Sequence, residues 1–143
     1  MSDSDPSSID RLLAQCRRHI DRVQPEDLER ELAAGALVVD IRPSEQRRSD
    51  GPLPGAVVID RNVLEWRLDP TSPHRLAGHD DPDRRIVVVC NEGYGSSLAA
   101  YTLAQLGLTD VADLVDGFQG WAAGRAAGTE NGPGSGESRA VRD

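Results

Sequence analysis

Four consecutive β-branched residues, Ile86-Val87-Val88-Val89, run straight into Cys90-Asn91-Glu92-Gly93-Tyr94-Gly95-Ser96-Ser97 and then into an apolar, alanine-rich stretch that ends at Gly107. An uninterrupted β-branched run without polar alternation describes a strand covered on both faces, as strands of a parallel sheet are. A parallel sheet needs a crossover, and the following stretch supplies one. Serine is favoured at helix N-caps and glycine just past helix ends, so a helix is predicted from Ser96 or Ser97 to about Leu106. Between strand and helix, Gly93 and Gly95 can take positive φ, letting the loop curl until several N–H groups face one point. The helix adds its own unpaired N–H groups and the positive end of its dipole. Such surroundings favour a thiolate over a thiol. Cys90 is therefore the candidate nucleophile, and Asn91, Glu92, Gly93, Tyr94, Gly95 and Ser96 form its candidate anion cradle.

The rest of the chain alternates in the same way. Ile9, Leu12, Leu13, Cys16, Ile20 and Val23 share one helical stripe, and Ser7 with Asp10 has capping-box spacing, so an amphipathic helix is predicted over 8–23. Arg11, Arg17, Arg18 and Arg22 lie off that stripe. Pro25 opens a second helix that Gly35 closes. Ala36–Ile41 is a buried strand ended by Arg42-Pro43, Ala56–Ile59 another, and Val111–Val115 the last. Val63, Leu64 and Leu68 have helical spacing, and residues 70–84 read as an exposed, Pro- and Asp-rich excursion carrying His74 and His79, both expected in solvent. Asp116-Gly117 leads to a short helix from Phe118 to about Ala123. Strands alternating with helices give an α/β sandwich whose sheet is mainly parallel. Ligands of such sheets bind at the carboxyl ends of the strands. Cys90, Asp40–Arg42 and Asp60–Asn62 lie there, whereas Arg84 and Arg85 lie at the opposite end.

Composition narrows the function classes. Sixteen basic against 24 acidic residues give a formal charge of −8, which disfavours nucleic acid and anionic membrane as partners. No apolar run approaches the ~18 residues of a membrane span, and the start lacks a signal-like pattern, so a cytoplasmic location is expected. Two cysteines in such a chain are not expected to form a structural disulfide. Cys16, on an apolar helix face, reads as core packing; the other readings are a resolving cysteine for Cys90, or half a metal site with His19. No metal or organic cofactor motif is present. Trp66 and Trp121 are expected to anchor the core, Tyr94 to rim the pocket and Glu92 to point outward.

In this order and spacing, Val39-Asp40-Ile41-Arg42, Gly51-Pro52-Leu53-Pro54-Gly55-Ala56, Cys90-x-x-Gly93-x-x-Ser96 and Asp116-Gly117-Phe118-x-x-Trp121 resemble the single-domain rhodanese-like sulfurtransferases. The resemblance implies a three-layer sandwich with about five strands over 25–124. Residues 1–24 precede it as a polar start and an extra amphipathic helix, and 125–143 follow as a tail expected to be disordered. It also implies that Cys90 takes a sulfane sulfur from a donor, holds it as a persulfide within the loop amides and passes it to a thiophilic acceptor. Donors would be thiosulfate, polysulfide, a low-molecular-weight persulfide or a protein persulfide. Many members of the family carry Arg in the loop where Gly95 stands here, so weak use of thiosulfate is expected unless Arg61, or failing that Arg42, supplies the cation. The fold's phosphatase relatives use Cys-x5-Arg, and here the sixth place after Cys90 is Ser96, with no arginine between Asn91 and Tyr101. The alternative to a transferase is a catalytically silent rhodanese-like module that binds another protein.

Overall fold

The computed structural model describes residues 5–131. Five parallel strands form one sheet: β1 (Asp21–Val23), β2 (Leu37–Asp40), β3 (Val57–Val58), β4 (Ile86–Val89) and β5 (Val111–Leu114), in the order β1-β5-β4-β2-β3. The helices are α1 (Ser8–Arg17), α2 (Leu28–Ala33), α3 (Ser44–Asp50), α4 (Leu64–Leu68), α5 (Gly95–Gln105) and α6 (Gly117–Asn131). Strands β2, β4 and β5 are buried along their whole length. Alternate residues of β2, β4 and β5 feed two cores, as the two-residue side-chain period requires. Val39, Ile86, Val88 and Val111 pack with Leu64, Leu68, Ala99 and Leu103 on one face. Val38, Val87, Val89 and Leu114 pack with Leu28, Phe118 and Trp121 on the other. The three-layer α/β arrangement is the one expected.

Several local expectations need correction. The first helix ends at Arg17 rather than Val23. Ile20 and Val23 continue its stripe arithmetically, but residues 21–23 fall in ladder register with Ala112–Leu114 and become the fifth strand, placing Val23 in the core. Trp66 is 56% exposed and is no core anchor. Leu64 and Leu68, one helical turn apart, take the inward face of α4 and turn Trp66 outward. Trp121 is buried as expected. His79 is buried rather than solvated; its Nε2–H donates to the Leu68 carbonyl over 2.6 Å and ties the 70–84 excursion back onto the end of α4. The last helix runs on past Ala123 to Asn131, and the rest of the tail expected to be disordered lies outside the described residues. Among the described residues no helix is long and apolar enough to cross a membrane.

Arg85 organises the amino ends of the strands. It ion-pairs with Glu31, Asp110 and Asp21, and the hydrogen bonds it donates to Glu31 are the main reason its guanidinium is held even more firmly protonated than usual. It sits across the full length of β4 from Cys90, as strand polarity requires.

Candidate active site

Strand β4 delivers Cys90 to the carboxyl end of the sheet, half-buried and free of any disulfide. The loop then folds back over its sulfur. The N–H groups of Gly93 and Ser96 donate to Cys90 Sγ over 3.2 and 3.3 Å. Those of Asn91, Glu92 and Tyr94 have no protein partner among the described residues. Gly93 makes the fold-back possible, with φ +91°. A Cβ on it would stand 2.7 Å from the Asp116 nitrogen. Gly95 does not play the matching role foreseen for it: it is the first residue of α5 and has open space around it.

Amides can converge on the sulfur only if the carbonyls of the same peptides turn elsewhere, and each turned carbonyl must find a donor. The start of α6 supplies two. Phe118 N–H donates to the Cys90 carbonyl over 2.9 Å and Gln119 N–H to that of Asn91 over 3.0 Å. This docking depends on Gly117, at φ +59°, where a Cβ would lie 2.5 Å from the Cys90 oxygen and 2.7 Å from Asn91 backbone atoms. Both contacts are with backbone, which cannot swing aside. Gly117→Ala is therefore expected to lower stability by about 3 kcal/mol, from left-handed backbone strain and overpacking together. The melting temperature should fall by on the order of 10 °C, as calorimetry would record.

The two serines after the loop do not cap α5; Tyr94 occupies the N-cap position and makes no side-chain cap bond. Both hydroxyls instead donate to Asp113 Oδ2, Ser96 over 2.8 Å and Ser97 over 2.7 Å. Asp113 lies in β5 and is fully buried. It also accepts from Arg22 of β1, Nε to Oδ1 at 2.8 Å and Nη2 to Oδ2 at 3.2 Å. Arg17, in the last turn of α1, donates Nε to Ser97 Oγ at 2.9 Å. The Gly93 carbonyl accepts from Arg17 Nη2 at 2.8 Å and from Arg22 Nη2 at 3.2 Å. None of Asp113, Arg17 and Arg22 was singled out by the sequence reading. The available signal was an aspartate inside an otherwise apolar strand, since a buried carboxylate must have cationic or hydroxyl partners.

The candidate substrate cations are placed differently. Arg42 is buried, pairs through Nε and Nη2 with Asp40, donates to the Gly51 carbonyl and lays its guanidinium on the Phe118 ring, 3.8 Å from the centroid. Arg61 follows the edge strand β3, two strands along from Cys90 or roughly 10 Å at ordinary strand spacing. Its Nη1 donates to both oxygens of Glu65, at 3.0 and 2.9 Å. Glu92 is exposed, and Tyr94 is 59% exposed on the loop. Cys16 is buried on the inner face of α1. No group of three or more His, Cys, Asp or Glu among the described residues could hold a metal ion.

Comparison with known proteins gives this geometry a setting. The rhodanese-like domain family matches residues 24–124. Thiosulfate sulfurtransferase GlpE of Ectopseudomonas mendocina is 32% identical over 102 residues, covering 71% of the chain and 84% of that protein. A solved structure from Rhodopseudomonas palustris, described as a protein of unknown function and possible tyrosine phosphatase, is 31% identical with a TM-score of 0.73; the match covers 93% of the chain and 98% of its own. The human single-domain sulfurtransferase TSTD1 is 25% identical with a TM-score of 0.61, over 71% of the chain and 95% of its own.

Proposed function

Because the chain belongs to the rhodanese-like domain family, we propose that it is a sulfurtransferase working through a persulfide on Cys90. The observation that carries this reading is the pair of backbone N–H groups aimed at Cys90 Sγ, with further unpaired amides in the same loop. In the first half-reaction the Cys90 thiolate attacks the sulfane sulfur of a donor. A new S–S bond forms and the donor's own bond to that sulfur breaks, with the electron pair leaving on sulfite for thiosulfate or on the shortened chain for polysulfide. The persulfide anion on Cys90 is then balanced by amide dipoles rather than by a side-chain cation. In the second half-reaction a thiolate or cyanide attacks the outer sulfur and the Cys90 thiolate leaves.

The same loop speaks against phosphoryl transfer. A phosphoryl group needs arginine or metal to balance its equatorial oxygens, and Ser96, at the place of that arginine, commits its hydroxyl to Asp113. A silent binding module has no use for amides aimed at an accessible sulfur.

The test is the mass of the intact protein after incubation with inorganic polysulfide and removal of excess reagent. A gain of one sulfur on the wild type, absent from Cys90→Ser and lost again on adding cyanide, is expected. Absence of any gain with polysulfide and thiosulfate alike would leave the binding-module reading in its place.

Thiosulfate, the substrate in the names of the bacterial relatives, is expected to be a poor donor. Charge-assisted contacts are roughly twice as strong as neutral ones, and the loop offers its dianion none. Arg61 is the candidate to supply one by leaving Glu65. Arg61→Ala is expected to cut thiosulfate turnover about fivefold while leaving polysulfide turnover unchanged. Equal turnover of thiosulfate by variant and wild type would remove Arg61 from the site.

A further inference from the structure

The segment 8–23 lies outside the region matched by the family, yet its two arginines reach the reactive loop. Arg17 and Arg22 converge on one atom, the carbonyl oxygen of Gly93. That residue's own N–H donates to Cys90 Sγ. The peptide joining Gly93 to Tyr94 is trans, as all peptides of the described chain are. In a trans peptide the C=O and the N–H point in opposite directions. Holding the Gly93 oxygen toward α1 and β1 therefore turns the Tyr94 N–H, which has no protein partner among the described residues, the opposite way across the C–N bond, away from α1 and β1.

The charges behind the loop also add up to an excess. Arg22 is paired with Asp113. Arg17 has no carboxylate partner among the described residues; its donors go to Ser97 Oγ and to the Gly93 oxygen. Two guanidiniums and one carboxylate leave one net positive charge at the back of a loop that carries no arginine of its own. A hydrogen-bonded cation polarises the peptide it binds and strengthens that peptide's N–H as a donor on the far side. Arg17 in particular is not needed to neutralise a buried carboxylate, since Arg22 already does so.

We propose that Arg17, assisted by Arg22, is a positioning residue for sulfur transfer: it fixes and polarises the Gly93–Tyr94 peptide so that this amide joins those holding the persulfide on Cys90. The proposal rests on the persulfide reading of Cys90. It gives the helix ahead of the family domain a task in the reaction, that of supplying from behind the loop the charge the loop lacks.

The test compares the wild type with Arg17→Met and Arg17→Lys in the full chain, following single-turnover loading of Cys90 by inorganic polysulfide, with thermal melting in parallel. Methionine keeps much of the length and apolar stem and removes the charge; lysine keeps the charge and one donor. Loading by Arg17→Met is expected to be about tenfold slower at saturating polysulfide, equivalent to about 1.4 kcal/mol, with little change in the concentration giving half-maximal rate. Arg17→Lys is expected to recover to within about threefold of wild type. If the two variants load at equal rates, or if both load like the wild type, the proposal is overturned while the persulfide reading stands. If the wild type itself takes up no sulfur, the failure belongs to the persulfide reading. Melting temperatures separate a positioning role from general loosening: a slowed Arg17→Met that also melts well below Arg17→Lys would assign the effect to stability and overturn the proposal.

Discussion

Cys90→Ser is expected to abolish sulfur loading, with no mass gain from polysulfide or thiosulfate and turnover lowered by at least about a thousandfold. The chemical reason is independent of the scaffold. The thiolate is the nucleophile in thiol–disulfide exchange, and a serine hydroxyl supplies essentially no anion near neutral pH. The structural reason is that the loop is fitted to sulfur. Gly93 and Ser96 N–H stand 3.2 and 3.3 Å from Sγ, whereas an N–H···O bond is best near 2.9–3.0 Å, so a serine oxygen on its shorter bond sits loosely in the same cradle. Because the cysteine is half-buried and its carbonyl is held by α6 irrespective of side chain, the variant should melt within a few degrees of the wild type. A Cys90→Ser protein that still gains sulfur would place the carrier elsewhere, with Cys16 the other cysteine in the chain.

The second large effect is expected at Asp113. Its carboxylate is fully buried and accepts four hydrogen bonds, two from Arg22 and one each from Ser96 and Ser97. Removing one partner of a buried pair leaves an uncompensated charge, with a usual cost of about 3–5 kcal/mol. Asp113→Ala should lose close to that, allowing that Arg22 retains some contact with water, and the denaturant midpoint should fall without a change in slope. Two serine hydroxyls and a guanidinium lose their common acceptor at the start of α5, so sulfur loading should slow even in the folded fraction. The double variant Arg22→Met with Asp113→Ala discriminates the cause. Removing both charges eliminates the unpaired ion, so the double variant should be more stable than Asp113→Ala alone. If it is less stable, the charge pair is not what holds this corner.

The architecture was legible in the sequence wherever burial was uniform. Val87–Val89 and Val38–Val39 have one physical solution, a strand covered on both sides, and they took it. The edge strand Asp21–Val23 was not legible, because Ile20 and Val23 satisfy helical spacing as well as an extended pattern; only the partner strand β5 decides between them. Trp66 and His79 misled in opposite directions for one reason. A short helix has room inward for only one turn's worth of side chains, and Leu64 and Leu68 took it, while the backbone carbonyl that α4 leaves at Leu68 gave His79 a partner indoors. At the site, the cysteine, the glycine that turns the loop and the absence of a loop arginine could all be read directly. The contributions of Asp113, Arg17 and Arg22 could not. Their partners are 16 to 91 residues away along the chain, and no local pattern reports such a distance.

The carbonyls of Cys90 and Asn91 are held by Phe118 and Gln119, and that of Gly93 by Arg17 and Arg22. The corner around Cys90 is thus assembled from segments some hundred residues apart, so it cannot form until Phe118 and Gln119 have been made. A nascent chain that has just exposed Cys90 lacks the N–H donors of Phe118 and Gln119 that hold the loop's carbonyls. Any sulfur chemistry at Cys90 therefore awaits the docking of Phe118 and Gln119 onto the loop, which sets the order in which the fold and its candidate site can form.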